Sequence, residues 1–372
     1  MPYASDGRSF LMTFRIISGV LAFTLTAVAH AQFTGNRIYV NTINYGGSSA
    51  RTSLGNLATV QRFNQTTNAF DQQFSTGVFN SGTVTTEGAL LFDPTSSSLW
   101  IAGYTSTLTT NTIGNTTSTS NPRIAAQILS SGTVNKFSTS SEYSMANVRS
   151  AVGIGGSVYM SGSKFGSRGY TPTGSSLGTG TQMSGAIDTR IAAFYDGVLY
   201  YSSLDVSYVG VFAGTDSTPL VTSPSPYQFR FSLDGLKTLY VADDTVGNAL
   251  YGISKYAKDT NGAYVLQGTY KIPVTGTTVT SARFFALKND VVNGLNVTTI
   301  VATTTEDTGT VPNRLVSFLD DNSFASPNGF QTLATARPNE VFRGVEVVPE
   351  PASMAIFGFG LVGLLARRRG RK

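Results

Sequence analysis

A short two-part segment recurs along this chain, and it limits the possible folds more than any other feature. An apolar stretch is followed by a turn, then by a second stretch with an aromatic or aliphatic residue at its centre. The copies pair Leu90–Asp93 with Leu99–Gly103, Val152–Ile154 with Val158–Gly162, Ala192–Tyr195 with Val198–Ser202, and Phe229–Leu233 with Thr238–Asp243. A weaker copy pairs Phe284–Leu287 with Thr299–Ala302. Asp-Pro, Gly-Gly and Asp-Gly dipeptides between the halves read as hairpin turns. Alternating strands such as Ala249–Ser254 and Arg314–Leu319 follow many of the copies. The central residues Tyr39, Trp100, Tyr159, Tyr200 and Tyr240 lie 61, 59, 41 and 40 residues apart. Such a period, with three or four strands per unit, predicts an all-β chain folded as a β-propeller. A β-sandwich or β-helix of similar composition is the alternative.

The two ends of the repeat region are half-units. Asn36–Val40 has the second stretch without a first, and Val341–Val348 has the first without a second. Joined, they complete one unit and close a ring, which leaves no unpaired sheet edge. This reading gives six blades, and a degenerate seventh could lie between Ser161 and Thr189. The segment FSLDGLKTLYVAD, Phe231–Asp243, resembles the blade motif of bacterial YVTN-type propellers.

Charge narrows the functional classes. The net charge of +5 comes from the chain ends. Setting aside Arg8, Arg15, Arg367, Arg368, Arg369, Arg371, Lys372 and Asp6 leaves residues 32–350 near −1. No basic face is then left for nucleic acid. The chain has no cysteine, and its one histidine, His30, lies in the N-terminal segment. Residues 32–348 thus lack Ser-His-Asp and Cys-His nucleophilic sites and the usual zinc, copper and haem ligands, and no cofactor is expected.

The N-terminal segment has the parts of an export signal. Residues 16–29 are mostly apolar, Arg15 precedes them, and Ala29 and Ala31 stand at −3 and −1 to a cleavage before Gln32. Met12 would give a signal of ordinary length, with residues 1–11 an overhang. The expected partners are the Sec translocon and signal peptidase. The domain reading is a signal peptide over 1–31, a propeller-like ectodomain over 32–348 and a tail over 349–372.

That tail runs Pro349-Glu350-Pro351, an apolar helix over 352–366, then Arg367, Arg368, Arg369, Arg371 and Lys372. The basic cluster would stay cytoplasmic, with the ectodomain outside. The run is short for a permanent span and contains Gly358, Gly360 and Gly363. In order and position, the three elements resemble the PEP-CTERM sorting signal of Gram-negative bacteria. The resemblance implies recognition by an exosortase reading Pro349-Glu350-Pro351, transient anchoring in the inner membrane, then a cell-surface or extracellular fate beside extracellular polysaccharide.

Candidate chemistry between the signals is sparse. The acidic pairs Asp243-Asp244, Glu306-Asp307 and Asp320-Asp321 could hold Ca²⁺, but read first as solvated turn residues. Gly166–Gly180 reads as a surface loop, and Trp100 with the Tyr-rich strands as blade core. Two functions compete. One is a non-catalytic surface or matrix protein associated with exopolysaccharide. The other is a secreted polysaccharide hydrolase or lyase with paired carboxylates in the channel.

Overall fold

The computed structural model describes residues 37–45, 54–108, 110–213, 216–232, 234–274, 279–292, 295–306 and 312–348. Almost every regular element is a strand; one 3₁₀ turn, Ile113–Asn115, interrupts them. The strands in chain order are β1 (Arg37–Asn44), β2 (Gly55–Asn64), β3 (Ala69–Ser81), β4 (Leu90–Asp93), β5 (Ser98–Tyr104), β6 (Arg123–Leu129) and β7 (Val134–Thr139). Next come β8 (Val148–Ile154), β9 (Ser157–Gly162), β10 (Gly166–Tyr170), β11 (Thr181–Gln182), β12 (Thr189–Tyr195), β13 (Val198–Ser203), β14 (Tyr208–Ala213) and β15 (Asp216–Thr222). They are followed by β16 (Pro226–Phe231), β17 (Thr238–Asp243), β18 (Gly252–Lys258), β19 (Tyr264–Tyr270), and a small ladder of β20 (Ile272–Pro273) with β21 (Val279–Thr280). The last are β22 (Ala282–Val292), β23 (Leu295–Thr304), β24 (Arg314–Leu319), β25 (Gln331–Thr335) and β26 (Glu340–Val348).

β8–β11, β12–β15, β16–β19 and β22–β25 form four separate four-stranded antiparallel sheets. An eight-stranded sheet holds the rest. It consists of β26-β1-β2-β3 and β4-β5-β6-β7, joined through one residue pair, Phe79 opposite Tyr104. The first strand of each four-stranded group touches its neighbours in turn: β26 with β4, β4 with β8, β8 with β12, β12 with β16, β16 with β22, and β22 with β26. The circuit closes on itself, so the arrangement is propeller-like.

The repeated aromatics take equivalent places. Tyr39, Trp100, Tyr159, Tyr200 and Tyr240 all lie on the second strand of their group, as does Ile300 of the weaker copy. Period-2 alternation sends their neighbours the other way: Leu239 and Val241 enter one apolar cluster and Tyr240 another. Trp100 is core, stacked on Phe137. The turns obey the hairpin rule. Gly155-Gly156 and Asp196-Gly197 both place two successive residues at positive φ, the backbone that continues strand twist through a two-residue loop.

The closure reading holds in register: Ile38 pairs with Val347, Tyr39 with Glu346 and Val40 with Val345. Two expectations need correction. The stretch from Ser161 to Thr189 supplies β10 and β11 to the sheet of β8 and β9, so its residues complete an existing unit. The loop expected over Gly166–Gly180 likewise begins with strand β10, whose Gly169 and Tyr170 pair with Tyr159 and Val158. Its Gly, Ser and Thr content conceals strand pairing that the β9 edge provides.

Candidate functional site

Five first strands carry the same irregularity. In β8, β12, β16, β22 and β26 one extra residue is inserted opposite the second strand, at Arg149, Arg190–Ile191, Tyr227–Gln228, Arg283 and Arg343–Gly344. A bulge turns a side chain out of the alternation and frees backbone groups from the ladder. The side chains redirected here are Arg149, Arg190, Gln228, Arg283 and Arg343. Glu87, just ahead of β4, occupies the sixth position. All six lie near the start of the first strands, forming a polar belt at one end of the circuit.

Hydrogen bonds between neighbouring groups of strands, several of them to backbone groups freed at the bulges, lock the belt. Asn41 donates to Gly88 O at 2.9 Å, and Ala89 N donates to Arg149 O at 3.3 Å. Ala192 N donates to Ser150 Oγ at 3.2 Å, and Ser202 Oγ to Tyr227 O at 2.6 Å. Ser281 Oγ donates to Asp243 O, and Thr303 Oγ1 to Arg343 O at 2.7 Å. Each bond crosses between neighbouring groups, so the belt's position is fixed from both sides.

Charge around the belt is uneven. Arg149 pairs with Asp188 and donates to Thr86 Oγ1 at 3.1 Å. Arg283 is paired to Asp244 at 2.7 Å, and Arg343 donates to Gly82 O at 3.1 Å. Arg190, only 4% exposed, makes no ion pair among the described residues. Its guanidinium lies 3.7 Å from the centre of the Tyr227 ring, with Arg283 5.5 Å from the same ring. Arg190 Nε and Nη1 have no hydrogen-bond partner. Burial holds its pKa below the usual guanidinium value. Beside Arg283 and Arg343 a narrow pocket is lined by Thr85, Thr304 and Asn313 as well.

The carboxylates of this region are engaged. Glu87 is fully buried, accepts from Tyr104 Oη at 2.5 Å and Ser81 N at 2.7 Å, and burial pushes its pKa up to about 7. Glu346 accepts from Arg230 at 2.6 Å and from Phe92 N at 3.0 Å. This ion pair joins β16 to β26, past the intervening β22. With its amide oriented to satisfy both groups, Gln228 also accepts from Arg230, at 2.6 Å. No described contact brings a second carboxylate to Glu87 or Glu346.

Asp243, Asp244, Glu306 and Asp320 are not the solvated turn residues the sequence suggested, whereas Asp321 is exposed in a turn as expected. Asp243 is buried and accepts from Ser223 Oγ, Ser225 N and Thr245 N. Asp320 receives Lys255 at 2.8 Å and the hydroxyls of Tyr240 and Tyr270. Glu306 pairs with Arg314; Asp307 lies outside the described residues. These side chains tie strands together, which explains carboxylates directly after strands. Among the described residues no group of three or more acidic or histidine side chains gathers as a metal site.

The belt was missed in the sequence, although a signal was there. In four units the polar residue precedes the turn by the same interval: Glu87 before Asp93, Arg149 before Gly155, Arg190 before Asp196 and Gln228 before Asp234. The residues singled out as signals, Ala29, Ala31, Gln32, Pro349, Glu350, Pro351, Arg367, Arg368, Arg369, Arg371 and Lys372, lie outside the described residues.

The chain is similar in structure to a protein of the nidogen/laminin complex, at a TM-score of 0.46 and 10% identity, covering 83% of this chain and 98% of that one. It is similar to the luciferin-regenerating enzyme at 0.40 and 9%, covering 84% and 81%. For virginiamycin B lyase from Staphylococcus aureus the values are 0.37 and 11%, covering 79% and 88%. At these identities the roles of those proteins do not transfer to this chain. Among curated proteins, no sequence matches. Residues 347–369 match the PEP-CTERM protein-sorting motif, which marks this chain as an exosortase-targeted protein with a cell-surface or extracellular fate.

Proposed function

We propose that this chain is a non-catalytic extracellular protein, a six-bladed propeller sorted by an exosortase and held within its host's extracellular polysaccharide. The observation that carries the reading is the sorting motif at 347–369, which begins inside the closing strand β26. A count of six blades is supported by the six first strands around the circuit, β26, β4, β8, β12, β16 and β22. In this account residues 1–31 direct Sec export, signal peptidase cuts before Gln32, and residues 352–366 hold the chain transiently in the inner membrane.

The non-catalytic reading is supported by the engagement of Glu87 and Glu346, because glycoside cleavage needs two carboxylates free to face one substrate. The competing reading is a polysaccharide hydrolase or lyase. Incubating the purified full-length protein with the host's own polysaccharide, while assaying new reducing ends and unsaturated products, decides between them. No release is expected, whereas deletion of residues 349–372 should mislocalise the protein. Sugar release that is lost in Glu346→Gln would overturn the non-catalytic reading.

A further inference from the structure

We propose that the belt at the start of the first strands is a binding site for a single oxyanion group, seated against Arg190. The chemistry is that shared by a uronate carboxylate, a sulfate ester and free phosphate. The inference goes beyond the surface-protein reading and does not depend on it.

The argument begins with charge. Between β8 and β22 the belt holds three guanidiniums, Arg149, Arg190 and Arg283, against two paired carboxylates, Asp188 and Asp244. Buried charges are paired or hydrogen-bonded because an isolated one is costly to desolvate. Arg190 departs from that rule, with two of its three guanidinium nitrogens unpartnered and 4% of its surface exposed. Stacking on Tyr227 offsets only part of the lost hydration.

The backbone supports the same conclusion. A chance cluster of arginines would need no shared backbone device, yet Arg149, Arg190, Arg283 and Arg343 each sit at a bulge of their own first strand. Repeated bulges that re-aim like side chains build a site whose geometry is fixed before a ligand arrives. Arginine suits the role because its planar donors match an oxyanion and its charge persists at any working pH.

Size excludes the neighbouring pocket as the seat. The pocket beside Arg283 and Arg343 has an interior of about 10 Å³, room for about one water. Thr85, Thr304 and Asn313 add polar groups to its wall. A whole sugar does not enter such a space. Nor does a sulfate or phosphate ion, and Arg190 does not line this pocket, so the anion's seat lies outside it.

The test is a calorimetric titration of the purified full-length protein at constant ionic strength. The probes are sulfate, phosphate, glucuronate and an oligogalacturonide, with chloride as reference. Saturable binding of at least one oxyanion is expected, and Arg190→Met should weaken it at least tenfold. Arg283→Gln, which removes one positive charge from the belt, should weaken it comparably and serves if Arg190→Met does not fold. Binding of inorganic anions alone assigns a free ion as the source; binding of the oligogalacturonide alone assigns a polysaccharide. Failure of every oxyanion to bind the unsubstituted protein, or equal binding by a folded Arg190→Met, overturns the proposal.

Discussion

Val40 and Val345 lie opposite each other in the ladder that joins the first strand to the last, and both are wholly buried. Shortening one side of this contact removes two methyl groups at the ring's seam. Val345→Ala should cost about 2 kcal/mol, from lost transfer energy plus a residual cavity. Urea unfolding should show a lower midpoint at unchanged slope. Val265→Ala, at a side chain 47% exposed, should stay within about 0.5 kcal/mol of the parent.

The Arg230–Glu346 pair makes a different prediction because both partners are almost enclosed. Glu346→Ala should destabilise by about 3–5 kcal/mol, since it strands the Arg230 guanidinium. The double change Arg230→Met with Glu346→Leu should recover most of that loss. A double-mutant cycle from denaturant midpoints measures it. An additive double mutant would show that the pair is not coupled.

Trp100 is the chain's one tryptophan, so its surroundings can be read by fluorescence. A β-carbon on Gly153 would lie 2.1 Å from Trp100 Cζ2, well inside contact distance. Gly153→Ala should therefore destabilise by about 1–3 kcal/mol through overpacking. The emission maximum should be blue in the parent and shift in the variant before global unfolding. Unchanged emission and stability would contradict this packing.

Glu87 gives a pH dependence with a definite sign. Burial raises its pKa from 4.5 to about 7 in the folded chain, against the Tyr104 and Ser81 hydrogen bonds and the nearby Arg343 and Arg149 charges. Between those two values the folded state holds a proton that the unfolded state has released. Stability contributed by this group is full below pH 4.5 and falls as pH rises through about 7. The loss is on the order of 3 kcal/mol. Melting curves should show the parent losing stability across this window relative to Glu87→Gln. Parallel profiles would refute the assignment.

Processing supplies the fifth prediction. Material recovered from the host surface should begin at Gln32 and lack Arg367, Arg368, Arg369, Arg371 and Lys372. N-terminal sequencing with intact mass checks both ends. Retention of the arginine cluster would contradict exosortase cleavage.

The sequence exposed the second strands of the units because aromatics and turn dipeptides mark them at regular spacing, and the half-units at Ile38 and Val345 revealed the seam. The belt was hidden by its own construction. Alternation predicts that Arg190 and Arg283 occupy a strand face, and the bulges at these residues break that rule locally. Arg343 was equally hidden, lying in the closing strand between Phe342 and Gly344. Asp243 and Asp320 misled for a related reason. A carboxylate after a strand is ordinarily hydrated, and only the tertiary fold brings Ser223, Lys255 and Tyr270 to meet them.

The seam has a consequence for the order of assembly. β4–β7, β8–β11, β12–β15, β16–β19 and β22–β25 are each drawn from a continuous stretch of chain, with local contacts that form quickly. β1 instead waits for β26, so its outer backbone groups stay unpaired until residues 340–348 are in place. During that interval the β1 edge is open to strand addition by another molecule. A chain truncated before Glu340 would never leave this vulnerable state.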